Sequence, residues 1–261
     1  MNMAYTASTD DTTALSPRRQ RARARRTERI VGSAMDLIAA EGFDALTMTR
    51  LADELDLSVG ALYRYFRSKD ALVAELQGRA IATIRGQLVA LRADLAQALC
   101  VGTSPRVASC TELLAIADHY LLMREREPRL YRLVAATLSD PRHLVDDAEA
   151  AAVAPSFTAA LGEVASSFDA AVASGALEEG SALRRTVAYW TALHGVSLVG
   201  KLERLAPAAA GDELLGARRL GRDLAATMLR GWGADPDDLG AARAWLNDHP
   251  EASQPTTEET A

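Results

Sequence analysis

The chain has 261 residues, which suffices for one large or two small domains with a hydrophobic core. Apolar residues make up 49% and charged residues 25%, proportions that are typical of a globular protein in water. The net charge of −6 argues against a surface that binds nucleic acid throughout, and no uninterrupted apolar run is long enough to cross a membrane. The N-terminal region also lacks the apolar segment of a signal peptide, so we expect a cytoplasmic protein.

The composition favours an all-α fold. Ala and Leu abound, Pro is sparse, aromatic residues make up only 5%, and alternating β-branched runs are absent. Cys100 and Cys110 lack the spacing of a metal knuckle or a redox pair, so they are interpreted as thiols in a reducing cytoplasm. The sequence contains no P-loop, nucleophile elbow, dinucleotide-binding glycine motif or zinc-protease motif. We therefore expect no enzyme activity, no catalytic residue, no cofactor and no metal.

The first segment, residues 1–24, is expected to be a disordered, arginine-rich arm. An arginine run, PRRQRARARRTER, begins in this segment and continues past it, and its seven arginines are Arg18, Arg19, Arg21, Arg23, Arg25, Arg26 and Arg29. Such a run either follows DNA phosphates and enters a minor groove, or it is a solvated surface. We favour the DNA interpretation because a helix-turn-helix pattern follows. The stretch from Ser16 to Lys69 holds 11 Lys and Arg against 7 Asp and Glu, while the rest of the chain carries a net −10.

The next segment has the pattern of a helix-turn-helix. A first helix is predicted at about Thr27–Glu41, where apolar residues form one stripe and Gly42 ends the helix. A short second helix follows, and a third is predicted over Ser58–Phe66 with Leu62 and Phe66 facing inward. Three hydroxyl residues occupy N-cap positions: Thr47, Ser58 and Ser68. Two caps joined by so short a turn predict two helices that meet at a tight corner.

The outward side of the Ser58–Phe66 helix suits a DNA groove. Gly60 lets the backbone approach a phosphate closely, tyrosines offer hydroxyls, and Arg64 offers positive charge. Taken by itself, this face is equally well explained as a surface corner of a helical protein whose tyrosines are half-buried packing.

The stretch LTMTRLADELDLSVGALYRYFRSKDAL, with the preceding helix, resembles the N-terminal domain of the TetR family of bacterial transcription regulators. The resemblance covers about Thr27–Ile81, and its most specific parts are Gly42-Phe43, Val59-Gly60, and the run from Leu62 to Phe66. It implies a DNA-binding domain at residues 25–72 that acts as a homodimer on double-stranded DNA with a palindromic operator. The residues expected to contact DNA are Thr47, Thr49, Ser58, Val59, Gly60, Ala61, Tyr63, Arg64, Tyr65 and Lys69.

The remainder is predicted to be a helical ligand-binding and dimerisation domain at residues 73–247, followed by a disordered tail at residues 248–261. Pro155 interrupts one helical pattern and indicates either a kink or a loop. The predicted helices lie at about Ser68–Leu99, Thr103–Arg126, Pro128–Leu138, Leu144–Ala173, Ser181–Leu205, Asp212–Leu229 and Asp237–Asn247.

The helix near 181–205 is apolar on most sides, so it lies either at the centre of the body or in a dimer interface with the helix near 212–229. The resemblance implies the interface. Candidate ligand-binding residues are the non-aliphatic side chains of the body: His119, Tyr120, Met123, Tyr131, Phe168, Trp190 and His194. Each of them is also explained by packing or by surface exposure.

The function that we infer is sequence-specific DNA binding by a homodimeric transcription regulator. Its expected action is repression, relieved when a small apolar or amphipathic molecule releases the protein from its operator. Two alternatives remain: a helical small-molecule-binding or scaffold protein whose head does not bind DNA specifically, and a TetR-like activator.

Overall fold

A computed structural model describes residues 16–99, 102–139, 146–196 and 216–254 of the chain. Within these ranges the chain forms helices and short turns without a strand, which confirms the predicted all-α fold with an N-terminal helix-turn-helix and a larger C-terminal body. The helices are α1 (Pro17–Glu41), α2 (Met48–Glu54), α3 (Val59–Tyr63), α4 (Lys69–Ala98), α5 (Pro105–Arg126), α6 (Pro128–Ser139), α7 (Asp147–Ala173), α8 (Ala182–Val196), α9 (Ala217–Gly231) and α10 (Pro236–Asp248).

Side-chain caps fix where the short helices of the head begin. The backbone N–H of Arg50 donates to Thr47 Oγ1 (3.1 Å), that of Ala61 to Ser58 Oγ (3.1 Å), and that of Ala71 to Ser68 Oγ (2.9 Å). All three predicted caps are therefore confirmed. Each contributes about 1 kcal/mol of helix stability, which matters most for a helix as short as α3.

The corner between α2 and α3 depends on one residue with unusual backbone geometry. Asp56 has a φ of 53°, in the left-handed region that aspartate tolerates better than most residues. This conformation lets the N–H of Leu57 donate to the carbonyl of Ala52 at 2.9 Å, so α2 ends and the chain turns at once.

The head and the body share apolar packing. Leu51, Leu62 and Leu72 are fully buried at the centre of the head. Leu130 and Leu133 of α6, a helix of the body, belong to the same buried cluster. The core of the head is therefore completed by α6, a helix that comes after α4 and α5 in the sequence.

Helix α1 differs from its prediction because it begins at Pro17 rather than near Thr27. The arm predicted to be disordered over residues 1–24 is therefore helical from Pro17 onward, and residues 1–15 lie outside the described ranges. Arg, Ala and Gln have high helix propensity, and Pro17 stands at the first helical position, where proline is favoured. The prediction of disorder for this arginine-rich stretch was therefore wrong from Pro17 onward.

Helix α3 is shorter than predicted, since it ends at Tyr63 and not at Phe66. The N–H of Tyr65 donates to the carbonyl of Leu62 at 2.9 Å, so the last turn tightens before the chain leaves the helix. Phe66 nevertheless packs inward as predicted and is 8% exposed.

The body is built around α5, whose residues from Leu113 to His119 are all buried. Phe168, Tyr189 and Trp232 bring aromatic rings from three elements together, with the Phe168 and Trp232 centroids 5.4 Å apart. Pro155 lies inside α7, which continues through it, so the predicted interruption is not a loop. The predicted helix ends after Val196 and the start near Asp212 lie outside the described residues, as does Cys100.

The C-terminal segment departs from the prediction of a disordered tail over 248–261. A 3-10 turn at Pro250–Ser253 folds back against α5, and Ser253 is buried. Its hydroxyl lies 3.5 Å from Asp118 Oδ2. The polar composition concealed this contact because its partners are more than a hundred residues away.

None of the described helices is long and apolar enough to pass through a lipid bilayer.

Candidate functional site

The predicted DNA-contacting residues lie on consecutive elements at the corner of the head. Tyr63 is 48% exposed, and Gly60 and Arg64 are also exposed. Val59, Ala61, Tyr65 and Lys69 are half-buried, whereas Thr47, Thr49 and Ser58 are exposed. The polar groups and the bare backbone of Gly60 are thus open to a partner, while Leu62 anchors α3 from behind.

The capping hydroxyls can donate a hydrogen bond as well as accept one. Thr47 Oγ1 and Ser58 Oγ accept hydrogen bonds from the backbone, so their own O–H groups remain able to donate. Because both side chains are exposed, these hydroxyls can donate to phosphate oxygens without uncapping the helices.

The helical extension of α1 brings arginines beside the end of α3. Arg23 Nη2 donates to the carbonyl oxygen of Arg64 at 3.1 Å, and its guanidinium lies 5.2 Å from the centre of the Tyr65 ring. The side chains that border the resulting surface groove are Arg19, Arg23, Arg25, Arg26, Arg29 and Tyr65. The role of Arg23 in holding the end of α3 was not predicted, because nothing in the local sequence indicates a contact across forty-one residues.

Two polar contacts join the head to the first turn of α7. Arg67 bonds to Glu149 at 2.6 Å, and the backbone N–H of Asp146 donates to Asp70 Oδ2 at 3.2 Å. Glu149 is 7% exposed, so its carboxylate is well sheltered although Arg67 is not. A movement of α7 relative to the head would strain both contacts.

A cavity of about 120 Å³ lies in the body between α4, α5, α6, α7 and α8. Its wall is mainly aliphatic and aromatic, with Ile81, Ile84 and Leu88 from α4, and Phe157 and Leu161 from α7. Leu133 and Val134 of α6 complete the wall on the side of the head.

The predicted ligand-binding residues divide between this cavity and other places. His119, Tyr120, Met123 and Trp190 line it, and His194 supports it by bonding through Nδ1 to the hydroxyl of Tyr120 at 2.8 Å. Tyr131 instead borders a separate surface groove with Arg124. Phe168 is 0% exposed and packs against Tyr189 and Trp232, so it belongs to the core. Thr186 and Gln77 also line the cavity but were not candidates, because nothing in the local sequence distinguishes them from other polar residues on helices.

The ionisable groups of the cavity wall are held in their neutral forms. Burial lowers the pKa of His119 to about 4, and the charge of Arg126 acts in the same direction, while a hydrogen bond with the Ser253 backbone opposes them. Burial also raises the pKa values of Tyr120 and Tyr189. Near neutral pH these three groups carry no charge, so the cavity is suited to a neutral molecule.

Next to His119 on α5, Asp118 forms an ion pair with α9. Both carboxylate oxygens of Asp118 accept from the guanidinium of Arg222, and the Nε contact is 2.5 Å long. Asp118 is 2% exposed in its side chain, whereas Arg222 is 38% exposed. This pair connects the helix that forms the cavity wall to one of the two helices predicted to form a dimer interface.

Comparison with known proteins identifies the head. Residues 30–76 match the family model for bacterial regulatory proteins of the tetR family. The HTH-type transcriptional repressor KstR of Mycobacterium tuberculosis is 39% identical over 59 residues, which are 23% of this chain and 27% of that protein. The chain thus aligns with only about a quarter of the length of this curated relative.

Solved structures extend the likeness of fold to the body. A protein of unknown function from Rhodococcus sp. RHA1 has a TM-score of 0.55 at 20% identity, over 79% of this chain and 94% of that one. SmeT, the repressor of the Stenotrophomonas maltophilia multidrug efflux pump SmeDEF, has a TM-score of 0.55 at 19% identity, over 88% of this chain and 95% of that one. KstR and SmeT are both described as repressors. The N-terminal domain is thus similar to that of tetR-family bacterial regulatory proteins, and the fold of the chain is similar to that of SmeT.

Proposed function

We propose that the protein is a homodimeric, ligand-responsive transcription repressor that binds a palindromic operator through α3. The observation that carries this proposal is the exposed face of α3, begun by the Ser58 cap and flanked by the arginines of α1. Such a combination of a positioned helix and surrounding positive charge is what a DNA-binding head requires.

In this reading, two copies of α3 enter successive major grooves of the operator. Gly60, Tyr63 and Arg64 meet base edges or sugars. The other predicted contact residues, Val59, Ala61 and Tyr65, lie around them. Thr47, Ser58 and Lys69 hold phosphates, as does Thr49. The arginines of α1 act from a helix rather than from a flexible arm, so they follow the phosphate backbone beside α3.

Exposed apolar residues on α8 and α9 support dimerisation there. Leu183 and Val187 of α8 are 54% and 42% exposed, and Leu220 of α9 is 40% exposed. Large apolar side chains on two neighbouring helices are typical of a surface that a partner covers. A symmetric pair of heads would then match a symmetric operator.

The effector cavity is connected to the head by packing. Helix α4 begins in the head and lines the cavity further along, and Leu133 of α6 belongs both to the head core and to the cavity wall. A small apolar or amphipathic molecule that widens the cavity would push α4 and α6, and with them the head. A change in the separation of the two heads would release the DNA.

The first test is selection from a random duplex pool with purified protein at near-physiological salt. Enrichment of an inverted repeat is expected, because each head of a symmetric dimer reads one half-site. Recovery of DNA without enrichment of any sequence would mean that the protein binds DNA only through non-specific charge attraction. No recovery would favour a helical small-molecule-binding or scaffold protein.

Variants then test the docking on the selected sequence. Tyr65→Ala and Lys69→Ala are each expected to weaken operator binding while the protein stays folded and dimeric. Arg106→Ala is the matched control, since this exposed arginine of the body pairs with Asp238 far from α3 along the chain. Operator affinity that is unchanged in both head variants would refute the docking.

A further inference from the structure

Two polar atoms, each on a side chain that lines the cavity, have no hydrogen-bond partner among the residues that the structure describes. They are His119 Nε2 and Thr186 Oγ1, and both are buried. The other polar groups of the wall are engaged, since Tyr120 bonds to His194 and the Tyr189 hydroxyl donates to the carbonyl of Leu113 at 2.9 Å. A buried polar atom without a partner costs free energy, so two of them in one apolar wall point to a missing partner.

The backbone contact of His119 indicates which nitrogen of its ring carries the proton. The Ser253 backbone forms a hydrogen bond that favours protonation of the ring, as an accepting carbonyl does. Because Nε2 is the atom without a partner, we assign this hydrogen bond to Nδ1. In this assignment the neutral ring leaves Nε2 able to accept a hydrogen bond.

Thr186 behaves differently from other threonines on the helices of this protein. The hydroxyls of Thr83, Thr111, Thr191 and Thr227 each donate to the carbonyl four residues earlier in their own helix. Thr186 lies within α8 and has the same carbonyl position available at Ala182, yet its hydroxyl makes no such bond. Its hydroxyl thus remains able both to donate and to accept.

The size of the cavity limits what can join these two atoms. Its volume of about 120 Å³ is comparable to the ~150 Å³ of an engineered apolar cavity that binds benzene. A single six-membered ring therefore fits without large rearrangement, whereas a bicyclic or long-chain molecule would have to open the helices further.

We propose that the cavity binds a small, neutral, one-ring molecule with a hydroxyl group, of the phenol class, held by His119 and Thr186. The hydroxyl of this ligand donates to His119 Nε2 and accepts from the hydroxyl of Thr186, while Ile84, Met123 and Phe157 pack around the ring. This inference rests on the proposed function in one respect only, namely that the cavity is the effector site.

Ligand-observed fluorine NMR on the full-length protein tests the inference with two probes of matched size. The probes are 4-fluorophenol and 4-fluorotoluene, which differ by a hydroxyl in place of a methyl group. We expect 4-fluorophenol to bind at least tenfold more tightly, although it is the less apolar of the two, because one hydrogen bond contributes about a tenfold gain in affinity. Equal affinities, tighter binding of 4-fluorotoluene, or no binding of either probe would overturn the proposal.

Two substitutions at Thr186 separate a ligand contact from a structural role. Thr186→Val should weaken binding of 4-fluorophenol about tenfold and leave 4-fluorotoluene unaffected, whereas Thr186→Ser should keep the preference. The Val variant should unfold at the same denaturant concentration as the wild type or a higher one, since it removes an unpaired buried hydroxyl. A Val variant that loses affinity for both probes would contradict the proposed contact.

NMR of protein with isotope-labelled histidine tests the His119 contact independently, without a substitution. The Nε2 resonance of His119 should shift when 4-fluorophenol is added and stay in place with 4-fluorotoluene. Operator binding is then measured separately. Preferential binding of 4-fluorophenol without release of the operator would support the ligand site and refute its role as an effector site. Failure of both probes on a protein that binds its operator would refute the ligand site alone.

Discussion

Replacing Arg222 with methionine leaves the carboxylate of Asp118 buried without its charged partner. Breaking a fully buried ion pair from one side costs about 3 to 5 kcal/mol. Asp118 is 2% exposed, but the side chain of Arg222 is 38% exposed, so water already screens part of this interaction. We therefore expect Arg222→Met to lower the free energy of unfolding by about 3 kcal/mol, the lower end of that range.

The cost is expected to come from the stranded charge and not from the lost arginine. Adding Asp118→Asn to Arg222→Met removes that charge, and the double variant should be only about 1 kcal/mol less stable than the wild type because hydrogen bonds are still lost. The two substitutions should thus couple by about 2 kcal/mol or more in a double-mutant cycle.

Urea unfolding followed by far-UV circular dichroism measures these differences. The protein concentration is held constant, because the stability of the proposed dimer would depend on it. Arg243→Met is the matched control, since Arg243 forms an ion pair with Asp223 in which both partners are exposed. Its effect should stay within about 0.5 kcal/mol. An effect of Arg222→Met as small as that of the control, or a double variant no more stable than Arg222→Met, would refute the reasoning.

Three further predictions concern α3, the core and the response to acid. Ser58→Ala removes the cap of α3 and should cost about 1 kcal/mol while weakening operator binding, whereas Ser58→Thr should retain both, as measured by urea unfolding and by a gel-shift titration. Phe168→Ala empties a fully buried site between two aromatic rings. It should lower the free energy of unfolding by about 3 to 5 kcal/mol. A loss below about 1 kcal/mol would mean that neighbouring side chains fill the space. The pKa of His119 lies at about 4 instead of its usual 6.5, so the unfolded chain binds more protons between these values and the free energy of unfolding should fall by about 3 kcal/mol as the pH drops from 7 to 4. His119→Gln should remove that part of the pH dependence, and identical pH profiles for the two proteins would contradict the burial of this group.

Local signals in the sequence predicted the head because its geometry depends on residues that are close in sequence. The caps at Thr47, Ser58 and Ser68 and the inward positions of Leu62 and Phe66 need only helical spacing and the chemistry of hydroxyl side chains. The start of α1 was wrong because charge was weighed above helix propensity, although arginine and alanine favour helices.

Features that depend on distant residues escaped the same reasoning. The contact of Arg23 with the end of α3, and the burial of Ser253 against α5, join residues whose local patterns are those of an ordinary charged run and an ordinary polar tail. Among the cavity residues, residue type alone indicated His119 and Trp190, but it also indicated Tyr131 and Phe168, which lie elsewhere. Thr186 could be noticed only from the hydrogen bond that it lacks.

The position of Leu133 limits how far the head can be treated as a separate module. This side chain is 1% exposed and is shared between the core of the head and the wall of the cavity. A head excised after the start of α4, or transplanted onto a foreign body, would expose leucines that α6 covers in the intact chain. Any substitution at Leu133 that adapts the cavity to a new molecule also alters the packing of the head. The ligand preference proposed for the cavity and the stability of the head therefore cannot evolve independently at this residue, and chimeras of this protein should be joined beyond α6.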